Sequence, residues 1–327
     1  MSALAKARAR QALADAGLPS EGPLEPLRSV TNEVWLSEEY LVRLNRRQDG
    51  RLQKEMAIGG LLPPALSYPE VVAYGGEPGG DWLILRRPRG RVLSQAWPHL
   101  AAPQRQLAVK HLAYLLQTVH GLPAPAELPD IDDPPLLMSV DLESPTARLV
   151  DALDELDGLP NVDRSLLIDT KALVRDLTLS LEPFRANTLV HGDVHFENLL
   201  WDGDRVHTLL DWKWARPAPA DVDLDVLLRF CAHPHAFVAD AGRFHATADE
   251  YAQVPWQLAE AYPALFAHPR QFDRMRIYSI AYDVRELLLY PPPVPVDRLP
   301  DHHAYHRLEA TMRGTGYLDR LAGTPVG

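Results

Sequence analysis

The sequence predicts an α+β fold with two unequal lobes, a small β-rich N-terminal lobe and a larger, mostly helical C-terminal lobe. Three observations support this prediction. Between residues 32 and 85, short apolar runs separated by turn residues flank one helical segment. From residue 104 onward, apolar residues recur at helical spacing. Around residues 188–210 a further hairpin interrupts the helices. We place the lobes at residues 1–88 and 89–327.

The N-terminal lobe is predicted to alternate between helices and hairpins. Its predicted elements are a helix over residues 2–16, hairpin strands at 32–36 and 40–44, a helix over 51–62, and strands at 71–74 and 82–85. Pro63-Pro64 ends the second helix, because proline cannot continue one. The segment Arg86–Gly90 is the predicted start of the connection to the second lobe.

The C-terminal lobe is predicted from longer periodic segments. Leucines and valines over residues 104–120 recur at helical spacing and predict a core-facing stripe. Residues 121–135 are rich in proline and aspartate, which is typical of a loop. Further helices are predicted over 141–157 and 163–182. After residue 226, aromatic and acidic residues again follow helical spacing.

The stretch from His191 to Asn198, together with Leu210-Asp211-Trp212, carries the chemistry of the chain. Metal-assisted phosphoryl transfer needs a group that receives or orients the attacking hydroxyl, and hard oxygen ligands for Mg²⁺. Asp193 can serve the hydroxyl, while Asn198 and Asp211 can hold the metal. Because a hairpin brings its two ends together, Asn198 and Asp211 are predicted to converge on one ion. A polar loop followed by a solvated aspartate is the alternative, which the agreement of the whole pattern disfavours.

These residues resemble the signature of the aminoglycoside phosphotransferases and their choline-kinase-like relatives. That signature is His-Gly-Asp-x-x-x-x-Asn, a hydrophobic-Asp-Trp step, and an Asp-Leu pair, present here as Asp223-Leu224. The resemblance implies a protein-kinase-like fold with ATP, or GTP in some members, bound between the lobes. It implies that Asp193 is the catalytic base, that Asn198 and Asp211 bind Mg²⁺, and that Asp223 and His191 support the loop. The implied acceptor is an aminoglycoside, an amino sugar or another hydroxylated metabolite.

The nucleotide side of the site is less marked in the sequence. In the kinase plan a strand lysine contacts the phosphates and is held by a helix glutamate. Arg43 and Glu55 are the candidates for this pair, and a guanidinium can grip phosphate oxygens bidentately. Ser29 and Thr31, in a glycine-poor turn, are candidates for phosphate contacts, and Leu85 for the nucleotide pocket. The alternatives are a surface ion pair for Arg43 and an ordinary polar turn for residues 29–32.

Composition limits the partners of the protein. The net charge of −11 disfavours nucleic acid, whose backbone requires a basic surface. An acidic cleft would attract a cationic acceptor, although solubility alone also explains such a charge. The lone cysteine, Cys231, fits a reducing compartment, and no apolar run is long enough to span a membrane. Residues 1–17 lack the apolar core of a secretion signal, so a cytoplasmic location is predicted. The oligomeric state is left open.

Two other classes of protein compete with a small-molecule kinase. A non-catalytic relative that only binds nucleotide is disfavoured because all three polar positions of the motif are present. A protein kinase is disfavoured because no Asp-Phe-Gly or Ala-Pro-Glu step follows the motif.

Overall fold

The computed structural model describes residues 3–27, 32–131, 135–137, 144–185, 187–238 and 246–321. The helices of this part of the chain are α1 (Ala3–Asp15), α2 (Arg51–Gly59), α3 (Leu93–Ala96), α4 (Ala102–His120), α5 (Ala147–Leu156), α6 (Arg164–Leu177), α7 (Asp221–Ala232), α8 (Ala248–Tyr251), α9 (Val254–Ala261), α10 (Gln271–Leu289), α11 (Ala304–Met312) and α12 (Tyr317–Arg320). Its strands are β1 (Glu25–Leu27), β2 (Asn32–Leu36), β3 (Tyr40–Asn45), β4 (Val71–Gly75), β5 (Trp82–Arg86), β6 (Arg91–Val92), β7 (Thr188–Val190), β8 (Leu199–Trp201), β9 (Val206–Leu209) and β10 (Arg216–Ala218).

The N-terminal lobe is an antiparallel sheet in the order β1-β2-β3-β5-β4. Successive side chains of a strand point to opposite faces, and β3 uses both faces. Val42 packs in the apolar cluster that contains α1, whereas Leu41 packs with Leu52 of α2. Arg43 alternates with Val42, so it shares the α2 face of the sheet with Leu41. The alternation in β3 therefore turns the Arg43 side chain toward α2.

The C-terminal lobe is built around two long helices, α4 and α10. Helix α10 packs against α5, α6, α7 and α11, while α4 packs against α9. Two small sheets lie at the junction with the first lobe, with strand orders β6-β8-β9 and β10-β7. The hairpin β8-β9 pairs Leu199 with Leu209, so the residue before β8 and the residues after β9 lie close together at the open end of the hairpin.

The predicted fold class is confirmed: an antiparallel N-terminal sheet precedes a helical C-terminal region. The predicted helices differ from the observed ones mainly at their ends. The helix predicted over 163–182 ends at Leu177 and continues as a 3₁₀ turn over Thr178–Leu181. The helix predicted over 141–157 is observed from Ala147, and residues 141–143 lie outside the described residues. The boundary after residue 88 stays a prediction.

Within the described ranges, no helix has both the length and the apolar character needed to cross a membrane.

Candidate active site

His191 fixes the backbone of the loop between β7 and β8. The Asp193 N–H donates to its Nδ1 at 3.2 Å, so Nε2 carries the proton and donates to the Leu210 carbonyl at 2.9 Å. Both bonds require a neutral imidazole. Burial, which disfavours the charged form, lowers the pKa of His191 and favours that state. His191 thus ties the backbone of Asp193 to the end of β9.

Asp223, near the start of α7, holds the same loop from the other side. Its carboxylate accepts the N–H groups of His191 and Gly192 at 2.9 and 2.7 Å, and the ring of His120 lies 3.0 Å away. Burial would raise the pKa of Asp223, but the hydrogen bonds from His120 and the loop outweigh it and lower the pKa. The ionised carboxylate therefore satisfies two buried backbone donors that have no strand partner.

Gly192 has a φ of +78°, in the left-handed region that favours glycine. A Cβ atom at this position would lie 2.5 Å from the Trp214 carbonyl oxygen. The loop can therefore pass this close to the segment after β9 only because residue 192 lacks a side chain.

Asn198 and Asp211 stand at the two ends of the hairpin β8-β9. The Leu210 N–H donates to the Asn198 carbonyl at 2.8 Å, which closes the hairpin at its open end. Asn198 Nδ2 donates to the Asp193 carbonyl at 2.8 Å and lies 3.5 Å from the Asp193 carboxylate. The Asn198 amide oxygen, the atom that binds a cation, makes no hydrogen bond within the described ranges.

Lys213 is a site residue that the sequence reasoning missed. Its Nζ lies 2.6 Å from the Asp211 carboxylate and 3.2 Å from the Asp193 carboxylate. Burial lowers the pKa of Lys213, but the two carboxylates outweigh burial and raise it. The available signal was its position two residues after Asp211, in the short 3₁₀ turn Trp212–Trp214. One ammonium thus contacts both carboxylates of the motif.

Arg43 connects the N-terminal sheet to this cluster. One of its nitrogens, Nη2, donates to Asp211 at 2.8 Å, and the other, Nη1, pairs with Glu55 of α2. The Tyr68 hydroxyl also donates to Glu55, at 3.0 Å. Only 6% of Arg43 and 1% of Glu55 is exposed, so the alternative of a surface ion pair is wrong. Arg43 and Glu55, far from the motif in sequence, are brought into contact with it.

The remaining nucleotide candidates are not part of this cluster. Leu85 lies in β5 at 2% exposure and packs with Leu41 and Leu83 in the core of the N-terminal lobe. Ser29 and Thr31 lie outside the described residues. The assignments of Leu85, Ser29 and Thr31 stay predictions.

The donor set suits Mg²⁺ bound jointly by protein and phosphate. The described residues contain no group of three His, Cys, Asp or Glu side chains that could hold a metal ion alone. Mg²⁺ usually takes one or two protein carboxylates and completes its octahedral shell with phosphate oxygens and water. The Asp211 carboxylate and the unpaired Asn198 amide oxygen fit that pattern.

A small antiparallel sheet joined to a helical lobe, with carboxylates and cations gathered between them, is the architecture of the kinase-like fold. A family model described as the phosphotransferase enzyme family matches residues 24–256. The chain belongs to this family, which confirms the predicted resemblance.

Three relatives illustrate the similarity. The aminoglycoside 3'-phosphotransferase of Niallia circulans is 27% identical over 194 residues, 56% of this chain and 66% of that protein. The ADP-bound structure of aminoglycoside phosphotransferase APH(2'')-Ib matches with a TM-score of 0.62 and 14% identity, over 96% of this chain and 99% of the other. A choline/ethanolamine kinase family protein from Mesorhizobium loti matches with a TM-score of 0.58 and 18% identity, over 99% and 100%. The two structural matches, at such low identity, show the fold alone.

Proposed function

We propose that the protein is an ATP-dependent kinase that transfers the γ-phosphate to a hydroxyl group of a small molecule. One observation carries the proposal: Arg43 of β3, Asp193 and Asn198 of the loop between β7 and β8, and Asp211 after β9 form one contact network through Lys213. The ADP-bound state of a structural relative supports nucleotide binding, with GTP as the alternative to ATP. A cytoplasmic location is part of the same proposal.

The network assigns a role to each residue. The oxygen of the acceptor hydroxyl attacks the γ-phosphorus, while the bond from that phosphorus to the β–γ bridging oxygen breaks and ADP leaves with the electron pair. Asp193 orients the hydroxyl and receives its proton. Asn198 and Asp211 would hold Mg²⁺, which neutralises charge on the phosphates when bound. Arg43, positioned by Glu55, faces the α- and β-phosphates.

The acceptor is proposed more broadly than the nucleotide. The names of the relatives point to aminoglycosides and to choline or ethanolamine. An aminoglycoside or amino sugar is therefore one candidate acceptor, and an amino alcohol, a sugar or an amino acid is the other. The same catalytic network can serve any of them, because the acceptor pocket and not the fold sets this choice.

A coupled ADP-release screen over these acceptors, with and without Mg²⁺, tests the proposal. We expect Mg²⁺-dependent turnover that Asp193→Ala lowers by about 10²- to 10⁴-fold, with nucleotide affinity retained in calorimetry. Asp204→Ala, in the exposed turn of the same hairpin, is the matched control. A protein that binds Mg²⁺-ATP but releases no ADP with any acceptor is the non-catalytic relative, and full activity of Asp193→Ala would remove Asp193 from its role.

A further inference from the structure

A cavity of about 130 Å³ lies directly beside the catalytic carboxylate. It is lined by Gly192 and Asp193, by residues of α7 and α10, and by residues 135–137. Because an acceptor hydroxyl must reach Asp193, this cavity is the place for the acceptor. The charges of its walls therefore indicate which acceptor fits.

Guanidinium groups outnumber carboxylates among the described residues that line this cavity. The cations are Arg216, Arg229 and Arg285, and the anions are Asp193 and Asp225. The net charge of −11 of the whole chain is thus not carried by this wall.

Both carboxylates are already occupied. Asp225 pairs with Arg229 one helical turn later and also accepts the Tyr317 hydroxyl at 3.3 Å. Asp193 is paired with Lys213 at 3.2 Å. An ammonium group on an acceptor would therefore have to displace an existing cation from either carboxylate, at the cost of leaving that cation without its partner.

Arg216, unlike Arg229, has no ion pair among the described residues. Across the described ranges it has no carboxylate at ion-pair distance, and its hydrogen bond runs from Nη1 to the Trp214 carbonyl at 3.1 Å. A Cβ on Gly192 would lie 2.6 Å from the same Nη1, so the guanidinium rests against the catalytic loop. Burial lowers the pKa of Arg216; the negative charge of Asp223 opposes this effect, and the positive charge of Arg285 adds to it. An anion bound beside Arg216 would offset both the desolvation of its guanidinium and the repulsion from Arg285.

A second cavity, of about 310 Å³, extends the same surface and shares Arg229, Phe237 and Tyr282 with the first. Its other guanidinium, Arg307, is paired with Asp283 at 2.7 Å. Among its described lining residues the carboxylate is Glu286, again fewer than the guanidiniums. A longer acceptor that continues into this cavity therefore meets more guanidinium groups than carboxylates among the described residues.

We propose that the acceptor is a hydroxylated small molecule that carries a carboxylate or phosphate group, which Arg216 binds while Asp193 faces the hydroxyl. Guanidinium groups bind such planar or tetrahedral anions bidentately. The proposal rests on the kinase activity proposed above and narrows its acceptor. It replaces the cationic acceptor that the overall charge of the chain suggested.

Matched acceptors that differ in charge test the proposal in the ADP-release assay with Mg²⁺-ATP. One set is glucose, glucuronate, glucose 6-phosphate and glucosamine; a second is glycerol, glycerate, glycerol phosphate and aminopropanediol; kanamycin represents a polycation. Direct binding of each compound is followed in parallel by thermal melting. We expect an anionic member to be bound and phosphorylated in preference to its neutral and cationic counterparts, and the carboxylate and phosphate arms identify the group.

Variants of Arg216 provide the second readout. Arg216→Gln should raise KM for the anionic acceptor by about 10- to 100-fold, since a hydrogen bond to a charged group is lost, and should change KM for a neutral acceptor much less. Arg216→Lys keeps the charge and should recover part of the loss, which separates charge from packing. Arg164→Gln, on a side chain that is 78% exposed, is the control.

The outcomes distinguish the two proposals. If cationic compounds are preferred, or if no anionic compound is bound or phosphorylated, the anionic acceptor is rejected, whatever the state of the kinase proposal. An unchanged preference in Arg216→Gln also rejects it. If Mg²⁺-ATP itself is not bound, the kinase proposal fails first.

Discussion

Around Asp193 and Asp211, two carboxylates and two cations lie in one continuous row of contacts. Arg43 contacts Asp211, Asp211 contacts Lys213, and Lys213 contacts Asp193. Burial alone would raise the pKa of Asp193 and of Asp211. Lys213, together with His195 beside Asp193 and Arg43 beside Asp211, outweighs burial and holds both pKa values well below the usual range. Lys213 thus keeps two adjacent carboxylates ionised.

Replacing this ammonium should destabilise the protein in a pH-dependent way. A carboxylate whose pKa is lowered on folding stabilises the protein above its unfolded pKa, about 4 for aspartate, and loses that contribution as the pH falls below it. Lys213→Met removes the cause of the lowered pKa, so its deficit relative to wild type should be largest near pH 7 and shrink below about pH 4. Thermal melting from pH 7 to pH 3 measures this, with exposed Lys110→Met as the control. A deficit that stays constant with pH would contradict the electrostatic role.

The sequence predicted the motif residues but not all the side chains that contact them. Asp193, Asn198 and Asp211 could be found because their chemistry follows a spacing within one loop and hairpin. Lys213 carries no such spacing rule, and it becomes meaningful only when the 3₁₀ turn after β9 directs its ammonium toward both carboxylates. Arg43 was predicted for the nucleotide, yet its contact with Asp211 spans 168 positions and could not be read from local patterns.

Among the elements, strands with alternating apolar residues were predicted and short paired strands were not. The hairpins β2-β3 and β8-β9 have apolar runs on both sides of a turn. The strands β1 and β10 are three residues each and contain Pro26 and Pro217, which disfavour strand prediction. They are strands because their partners β2 and β7 offer a free edge. Tertiary pairing, not local preference, creates them.

The close approach of Gly192 to the segment after β9 can be tested by substitution. Gly17→Ala, at φ +70° with nothing within 4 Å of the added methyl, should cost only the conformational strain, roughly 1–2 kcal/mol. Gly192→Ala adds a 2.5 Å approach to the Trp214 carbonyl, so it should cost roughly 2–4 kcal/mol. Denaturant unfolding of the two variants compares these costs. Equal losses would mean that the loop moves aside without resistance.

Across the whole molecule, the contact of Arg43 with Asp211 joins the N-terminal sheet to the catalytic hairpin. This guanidinium contacts Glu55 and Asp211 through two separate nitrogens. The single ammonium nitrogen of a lysine lacks this planar fork of donors. The contact between the N-terminal sheet and the hairpin β8-β9 therefore depends on the arginine at position 43.

Arg43→Lys should separate the contact with Asp211 from the proposed role toward the nucleotide phosphates. Lysine keeps the positive charge that the proposed role toward the phosphates needs, but it loses one of the two contacts, so we expect KM for ATP to rise by about 5- to 50-fold. The acceptor KM should change less, because Arg43 does not line the acceptor cavity. Steady-state kinetics with each substrate varied in turn measures the effect, and Arg46→Lys on the same lobe is the control. A larger effect on the acceptor would indicate that the lobes reorient.

In the nucleotide-free protein, the ammonium of Lys213 already neutralises part of the negative charge of Asp193 and Asp211. Because Asp193 and Asp211 already have Lys213 as a counter-ion, we expect the nucleotide-free protein to fold without a divalent cation, and the proposed Mg²⁺ to be needed only together with the nucleotide. Treatment with a chelator should accordingly stop phosphate transfer while the melting temperature of the nucleotide-free protein stays the same; a drop on chelation would show that the metal also supports the fold.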